Sequence, residues 1–449
     1  MLSIEFMKYL LDDFYIYFAI LVCYTCGYFY LVRKYIYTIL DPLFLYTLYS
    51  CFGGTIVVFM FYKDVISLQY FLSYLFTQAA FVLGFRVFRP LNLLKIRPSA
   101  SNCSKNRSTN TFIPRLYIVS SLVYIISQIV SYSVGGIPLL YKSRLDFYIS
   151  DSGFGVISRI IYVTALVTIF LLIHRFNNWK GNIFLRLYDV FVLFNVITNS
   201  VLSGSKSSFL TLLSVVFYYS IFSLRMNGRA EFFYKIKKYQ YLMLSFAVVV
   251  AISVALIQDM GQYGEKVGLI AFVNRLVLSG DVYVNAYPYA VIEYMQWHNP
   301  FLVIFQDFIG LFRIVSWENL PTTLGIELFR YLVPESDTVG PNPRHNVFGL
   351  VYFGFYGSIL FSFGIGFVLS FVRNRLYFLC SPTIFSGLIY MLVSLPIMGI
   401  ESDIGSVVGN LDSTLLVLLP LIIVVYIFDK GSKPMVAKGL PGSLAQHHV

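Results

Sequence analysis

Three short segments of this 449-residue chain carry residue types able to hold an anion and move a proton. Ser203-Gly-Ser-Lys206-Ser-Ser joins two apolar runs, so Lys206 stands at the start of the second, beside free backbone N–H groups and the positive end of a helix dipole. That arrangement suits phosphate; the alternative is a lysine reaching for headgroups from a turn that is merely short. Asn274-Arg275-Leu-Val-Leu-Ser-Gly280-Asp281 sets Arg275 inside an apolar helical pattern, where a cation either binds a ligand or pairs with an acid such as Glu293. Pro341-Asn-Pro-Arg344-His345-Asn346 precedes an apolar run starting at Val347, which predicts Arg344 and His345 at a membrane surface and at a helix N-terminus. Histidine can act as a general base near neutral pH, and arginine can clamp a diphosphate bidentately. The plainer alternative makes Asn346 an N-cap with two polar neighbours at the interface.

These segments have to be positioned by a hydrocarbon-like chain. Hydrophobic residues make up 58% of it and charged ones only 12%, with a mean hydropathy of +0.73. Continuous apolar runs of about 17–25 residues are long enough to cross a core about 30 Å thick. Without water to satisfy backbone groups, such runs are helices, and their lack of alternation excludes a barrel. The pattern predicts an all-α, polytopic membrane domain of about 11 (11–13) spans, at 14–32, 39–61, 66–88, 114–132, 157–174, 185–202, 208–224, 239–257, 347–371, 382–400 and 413–428. One domain fills residues 1–449, with no internal repeat. Asp12 and Asp13 precede the first run, where a cleavable signal would be basic.

The net charge of +11 is unevenly spread. Assigned alternately, the loops of one side hold 22 of the 33 Lys and Arg and four of the 22 acids. That excess marks the cytoplasmic face, so the charge reports topology and requires no nucleic acid. The 258–346 loop is then external, the N-terminus outside and the C-terminus inside. The basic 86–115 stretch becomes a cytoplasmic loop held against anionic headgroups, and the 429–449 tail a disordered cytoplasmic end. Within the long loop, Phe, Tyr and Leu are too frequent for disorder, which predicts short helices over the outer mouth of the bundle. Pro300–Ile314 is an amphipathic stretch suited to the interface, with Trp317 following as an anchor.

Weaker signals complete the reading. Arg144 and Gly155 form Arg-x10-Gly, a spacing that chance supplies readily in a chain with 30 Gly. Asp189 is expected to pair with Arg186, as a structural residue. Cys23-x-x-Cys26 reads as two small hydrophobes on a span. There is no nucleotide-binding Gly-rich loop, no His-Glu-x-x-His, no Gly-x-Ser-x-Gly, no carboxylate cluster arguing for a metal, and no chain of intramembrane carboxylates for ion coupling.

Together these pieces resemble the Wzy-type O-antigen and oligosaccharide repeat-unit polymerases. Ser203-Gly-Ser-Lys206-Ser is similar to that family's Ser-Gly-Ser-Arg-Ser turn, with Lys in place of Arg. Arg275-Leu-Val-Leu-Ser-Gly280-Asp281-Val-Tyr283 is similar to its Arg and Gly-Asp stretch in the large outer loop. Pro343-Arg-His-Asn-Val-Phe-Gly349, followed by Tyr352-Phe-Gly-Phe-Tyr-Gly357, is similar to its Pro…Gly-x-x-Tyr-x-x-Phe-Gly pattern, and Gly135-Gly-Ile-Pro-Leu is a softer match. The resemblance implies a multi-pass glycosyltransferase of the bacterial inner membrane with its active site facing the periplasm. It implies undecaprenyl-diphosphate-linked oligosaccharides as substrates, the lipid bilayer and a chain-length regulator protein as partners, and no cofactor: the donor is already activated, so neither nucleotide nor metal is needed. Catalysis would use positive charge on the departing diphosphate and a base for the acceptor hydroxyl. Lys206, Arg275, Arg344 and Arg144 are the expected diphosphate-binding residues, His345 the expected base, and Asp281 or Glu293 the alternative base. An O-antigen ligase-like transferase has the same logic. A lipid-linked oligosaccharide flippase would instead predict short loops, internal pseudo-symmetry and charges lining a central cavity; a purely structural membrane protein would not explain the outer cations near helix starts.

Overall fold

A computed structural model of the protein describes residues 3–93, 96, 111–141, 154–178, 182–205, 207–227, 230–260, 278–295, 298–334 and 340–431. Among them every regular element is helical. The order is α1 (Ser3–Asp12), α2 (Phe14–Val32), α3 (Pro42–Tyr62), α4 (Leu68–Phe85), α5 (Phe112–Gly135), α6 (Phe154–Asn177), α7 (Ile183–Leu202), α8 (Ser208–Asn227) and α9 (Ala230–Met260). Short helices follow: α10 (Asp281–Ala286), α11 (Pro300–Ile304), α12 (Gln306–Leu311) and α13 (Leu324–Leu332). The chain ends with α14 (His345–Ser370), α15 (Ile384–Ile397) and α16 (Ile404–Gly431). Nine helices among the described residues are long and apolar enough to cross a membrane, so the protein is a polytopic membrane protein.

Local chemistry sets several boundaries. α3 begins at Pro42 rather than at residue 39 because Asp41 caps it, accepting from the Leu43 N–H at 3.0 Å, and Pro42 fills the first helical position. The predicted 239–257 span falls within α9. The predicted 382–400 span is instead the 14-residue α15. At 1.5 Å per residue it is about 21 Å long, short of a hydrocarbon core. Its chain turns at Met398–Asp403, inside the bundle, with Glu401 buried. α16 starts at Ile404, nine residues ahead of the predicted 413, and runs through residue 429 to Gly431, where a disordered tail was expected; residues 432–449 and most of the basic 86–115 stretch lie outside the described residues.

The predicted span at 347–371 differs most. Gly354 adopts φ 67° and ψ −175°, and the chain reverses there. A side-chain Cβ at Gly349 would stand 3.1 Å from the Ser358 backbone, and the Phe348 and Phe361 rings stack at 5.5 Å. In one straight helix these pairs would be about 14 and 20 Å apart. Residues 345–353 thus form a short limb folded against the start of a longer one, 355–379. The sequence misses this because Gly354 lies in an unbroken apolar run whose hydropathy is blind to a turn.

The second limb packs on α4 with almost no space between backbones. A Cβ at Gly84 would meet the Phe363 carbonyl at 2.1 Å, and one at Gly366 the Phe81 carbonyl at 2.1 Å. Small residues at a helix crossing are a membrane-protein device, since close backbone approach replaces the hydrophobic drive that lipid cannot supply.

Candidate functional site

Between Ser279 and Asn346 the long loop does not merely cover the bundle; it dips into it. A Cβ on Gly280 would lie 2.5 Å from the Gly53 Cα of α3, so only glycine against glycine allows this approach. Gly53 is nine residues from the Tyr62 end of α3, about 13 Å along the helix. α10 follows, with Val282 through Ala286 buried; its Tyr283 and Tyr287 rings meet Tyr74 and Tyr70 of α4, both at 5.3 Å. The loop carries the short helices expected of it, and one of them, α10, is buried between α3 and α4.

Arg344 enters at the same level. Its N–H donates to the Ser402 carbonyl at 2.8 Å, and the His345 N–H to the Glu401 carbonyl at 3.0 Å. Arg344 Nη2 donates to the carbonyls of Tyr49 and Ser279, both at 3.0 Å, and Nη1 lies 3.7 Å from Glu401 Oε1. Ser50 Oγ donates to the same carboxylate oxygen at 2.5 Å. The guanidinium and the carboxylate are both buried, a pair that holds only because each is also hydrogen-bonded. Burial pushes the Glu401 carboxyl above its ordinary range, while Arg344 and hydrogen bonds from Ser50 and Gln78 pull it back.

His345 lies in the same packed layer. Its Nδ1 is 2.9 Å from Ser362 Oγ, its ring stacks on Phe81 at 4.9 Å, and its buried Nε2 meets no hydrogen-bond partner among the described residues. Ser362 is eight residues past Gly354, so His345 sits about 12 Å below the turn rather than at the surface predicted for it. Asn346 does not cap the helix with its side chain; it accepts from the Tyr283 hydroxyl at 2.6 Å and donates to Thr77 at 2.9 Å and Gln78 at 3.3 Å.

The other expected residues are distributed unevenly. Asp281 opens α10, half-buried, close enough to act electrostatically on Arg344. Glu293 is exposed and accepts from the Tyr70 hydroxyl at 2.5 Å. Lys206, Arg275 and Arg144 lie outside the described residues. Among the described residues beside Lys206, Gly204 has φ 59°, and the hydroxyls of Ser203 and Ser208 meet at 2.9 Å. Asp189 is structural, but its partner is Arg175 of α6, held by two bonds of 2.8 and 3.0 Å, and not Arg186.

Glu401 is the residue that sequence reasoning missed. Its signal was present in Gly399-Ile-Glu401-Ser-Asp: an acid directly after an apolar run, with no cation near it in sequence. No family model matches this chain, and no curated protein or solved structure matches it either.

Proposed function

We propose that the protein transfers oligosaccharide units carried on undecaprenyl diphosphate, lengthening a surface polysaccharide on the periplasmic face of the inner membrane without metal or nucleotide. The supporting observation is a meeting of two segments far apart in sequence. The Gly280-Asp281 segment and the Arg344-His345 segment join through Arg344 on the Ser279 carbonyl and Tyr283 on Asn346. One contributes an acid, the other a cation and an imidazole, at the place where the loop enters the bundle. In this reading Lys206, Arg275, Arg344 and Arg144 neutralise diphosphates, and His345 takes the acceptor hydroxyl proton, with Asp281 or Glu293 in its place if it does not. A chain-length regulator is the expected protein partner. The test is a surface-polysaccharide gel of a strain lacking the gene. Loss of the ladder with one repeat unit retained supports polymerisation, and loss of both supports a ligase or flippase instead.

Two observations favour the flippase as second reading. A helix broken at Gly354 and a buried Arg344–Glu401 pair near the mid-length of α3 are features that transporters use at their binding sites. Reconstituted vesicles separate the two. Movement of lipid-linked units between leaflets without chain growth assigns transport; chain growth from units supplied on one leaflet assigns transfer.

A further inference from the structure

The loop carries a second feature that does not depend on the transferase reading. α11 and α12 turn Val303, Ile304 and Gly310 inward, while Phe301, Phe305, Phe308 and Phe312 face outward, each at least 42% exposed, followed by Ile314 and Trp317. The rings of Phe308 and Phe312 pack together at 4.7 Å, and Trp317 closes over Gly310, where a Cβ would meet it at 2.7 Å. The inner face is fixed by charge. Asp307 lies 3.7 Å from Arg159 of α6, which also reaches Asp412 of α16 at 3.3 Å, and Gly409 leaves the room that the Asp307 carboxylate fills. Gly405 faces the Val303 carbonyl at ordinary contact distance.

This ledge therefore covers the first turns of α16. Beyond them one strip of that helix, Leu415, Leu419 and Ile423, is more than half exposed, while Leu418, Leu421 and Val425 stay in the core. The aromatic face of the ledge and that strip of α16 are both exposed on the outside of the bundle, the ledge covering the first turns of the same helix. Six large apolar side chains facing water would be an aggregation liability; beside a lipid-facing strip they continue it. Exposed Arg313 and Trp317 at the rim are residue types that settle at headgroup level.

We propose that the α11–α12 ledge lies in the membrane plane, its aromatic face seated among the acyl chains of the leaflet on the loop side, with Trp317 at the headgroup boundary. The experiment leaves Trp317 as the sole tryptophan through Trp179→Phe and Trp297→Phe and reconstitutes the full chain in phosphatidylcholine vesicles. Lipid brominated near the start of its acyl chains should cut Trp317 emission about two-fold while aqueous iodide changes it little. Quenching by iodide with no response to brominated lipid would place the ledge in water and overturn the proposal. A spin label on Phe308→Cys, an outward position, in a chain whose five native cysteines are replaced by serine gives an independent readout. Contact with oxygen over a water-soluble nickel complex is expected; cross-linking of that cysteine to a second copy, without lipid contact, would make the face a dimer interface and overturn it as well.

Discussion

His345 Nδ1 and Ser362 Oγ are 2.9 Å apart although 17 residues separate them. The reversal at Gly354 creates that proximity and converts a surface position into one inside the bundle. Buried beside Ser362, the imidazole is kept from bulk water, and the hydroxyl can fix which ring nitrogen carries the proton.

The reversal gives the first expectation. Gly354 occupies a backbone region that side chains almost never adopt, so Gly354→Ala should cost about 1–3 kcal/mol. Gly364 has open space around it and ordinary helical geometry, so Gly364→Ala should be neutral or slightly stabilising. Melting temperatures of the two variants in detergent check the contrast; equal values would mean that the limb does not fold back.

A second expectation concerns the crossing of α4 and α14. Gly84→Ala or Gly366→Ala places a methyl group against a carbonyl that cannot move aside, at a cost of about 3 kcal/mol or more. Folded yield and thermal stability should fall for both. A well-folded Gly84→Ala protein would mean that the helices do not approach so closely.

Glu401 should make stability depend on pH. Burial, the largest influence, raises its carboxyl above the ordinary value of 4.5, so the folded state holds the proton more tightly than the unfolded state. The stabilisation is full below that ordinary value and is lost as pH rises through the folded one. Glu401→Gln, which stays neutral, should show a shallower decline of melting temperature between about pH 4 and pH 8. Parallel profiles would rule out Glu401 as the source.

On the opposite side of the bundle, Arg373 pairs with Asp41, and both are buried. Removing one partner leaves a lone buried charge, so Arg373→Met alone should cost about 3–5 kcal/mol. Arg373→Met combined with Asp41→Asn should recover part of that loss. Unfolding measurements on single and double variants form the cycle, and simple additivity would contradict the pairing.

Kinetics test the chemistry proposed for the loop. His345→Ala should lower kcat by about 100-fold or more with KM little changed, as loss of a general base does. Arg275→Ala should abolish chain lengthening while single-unit transfer to the surface persists. If His345→Ala turns over normally, Asp281→Asn and Glu293→Gln decide which carboxylate takes its place.

The all-helical class and most helix positions were legible because apolar runs of membrane length leave the backbone no other choice. What was illegible depended on single residues. Gly354 turns the chain within a run whose hydropathy never changes, so nothing in the sequence draws His345 away from the surface. α15 stops after 14 residues because the chain turns at Met398–Asp403, and Glu401 thereby passes from a loop to the interior. Arg344 was recognised as unusual from its place beside a span, yet its partners Tyr49, Ser279 and Glu401 come from three distant segments that spacing cannot connect.

α3 is held at both levels by residues made long after it. Asp41 waits for Arg373, 332 residues later, and Ser50 for Glu401, 351 residues later. At a synthesis rate of about 5–20 residues per second, Asp41 stays without its cation for on the order of half a minute after α3 leaves the ribosome. The first helices therefore cannot settle as a finished unit during translation. Until the carboxy-terminal third is made, Asp41 and Ser50 of α3 lack the partners they have in the finished bundle.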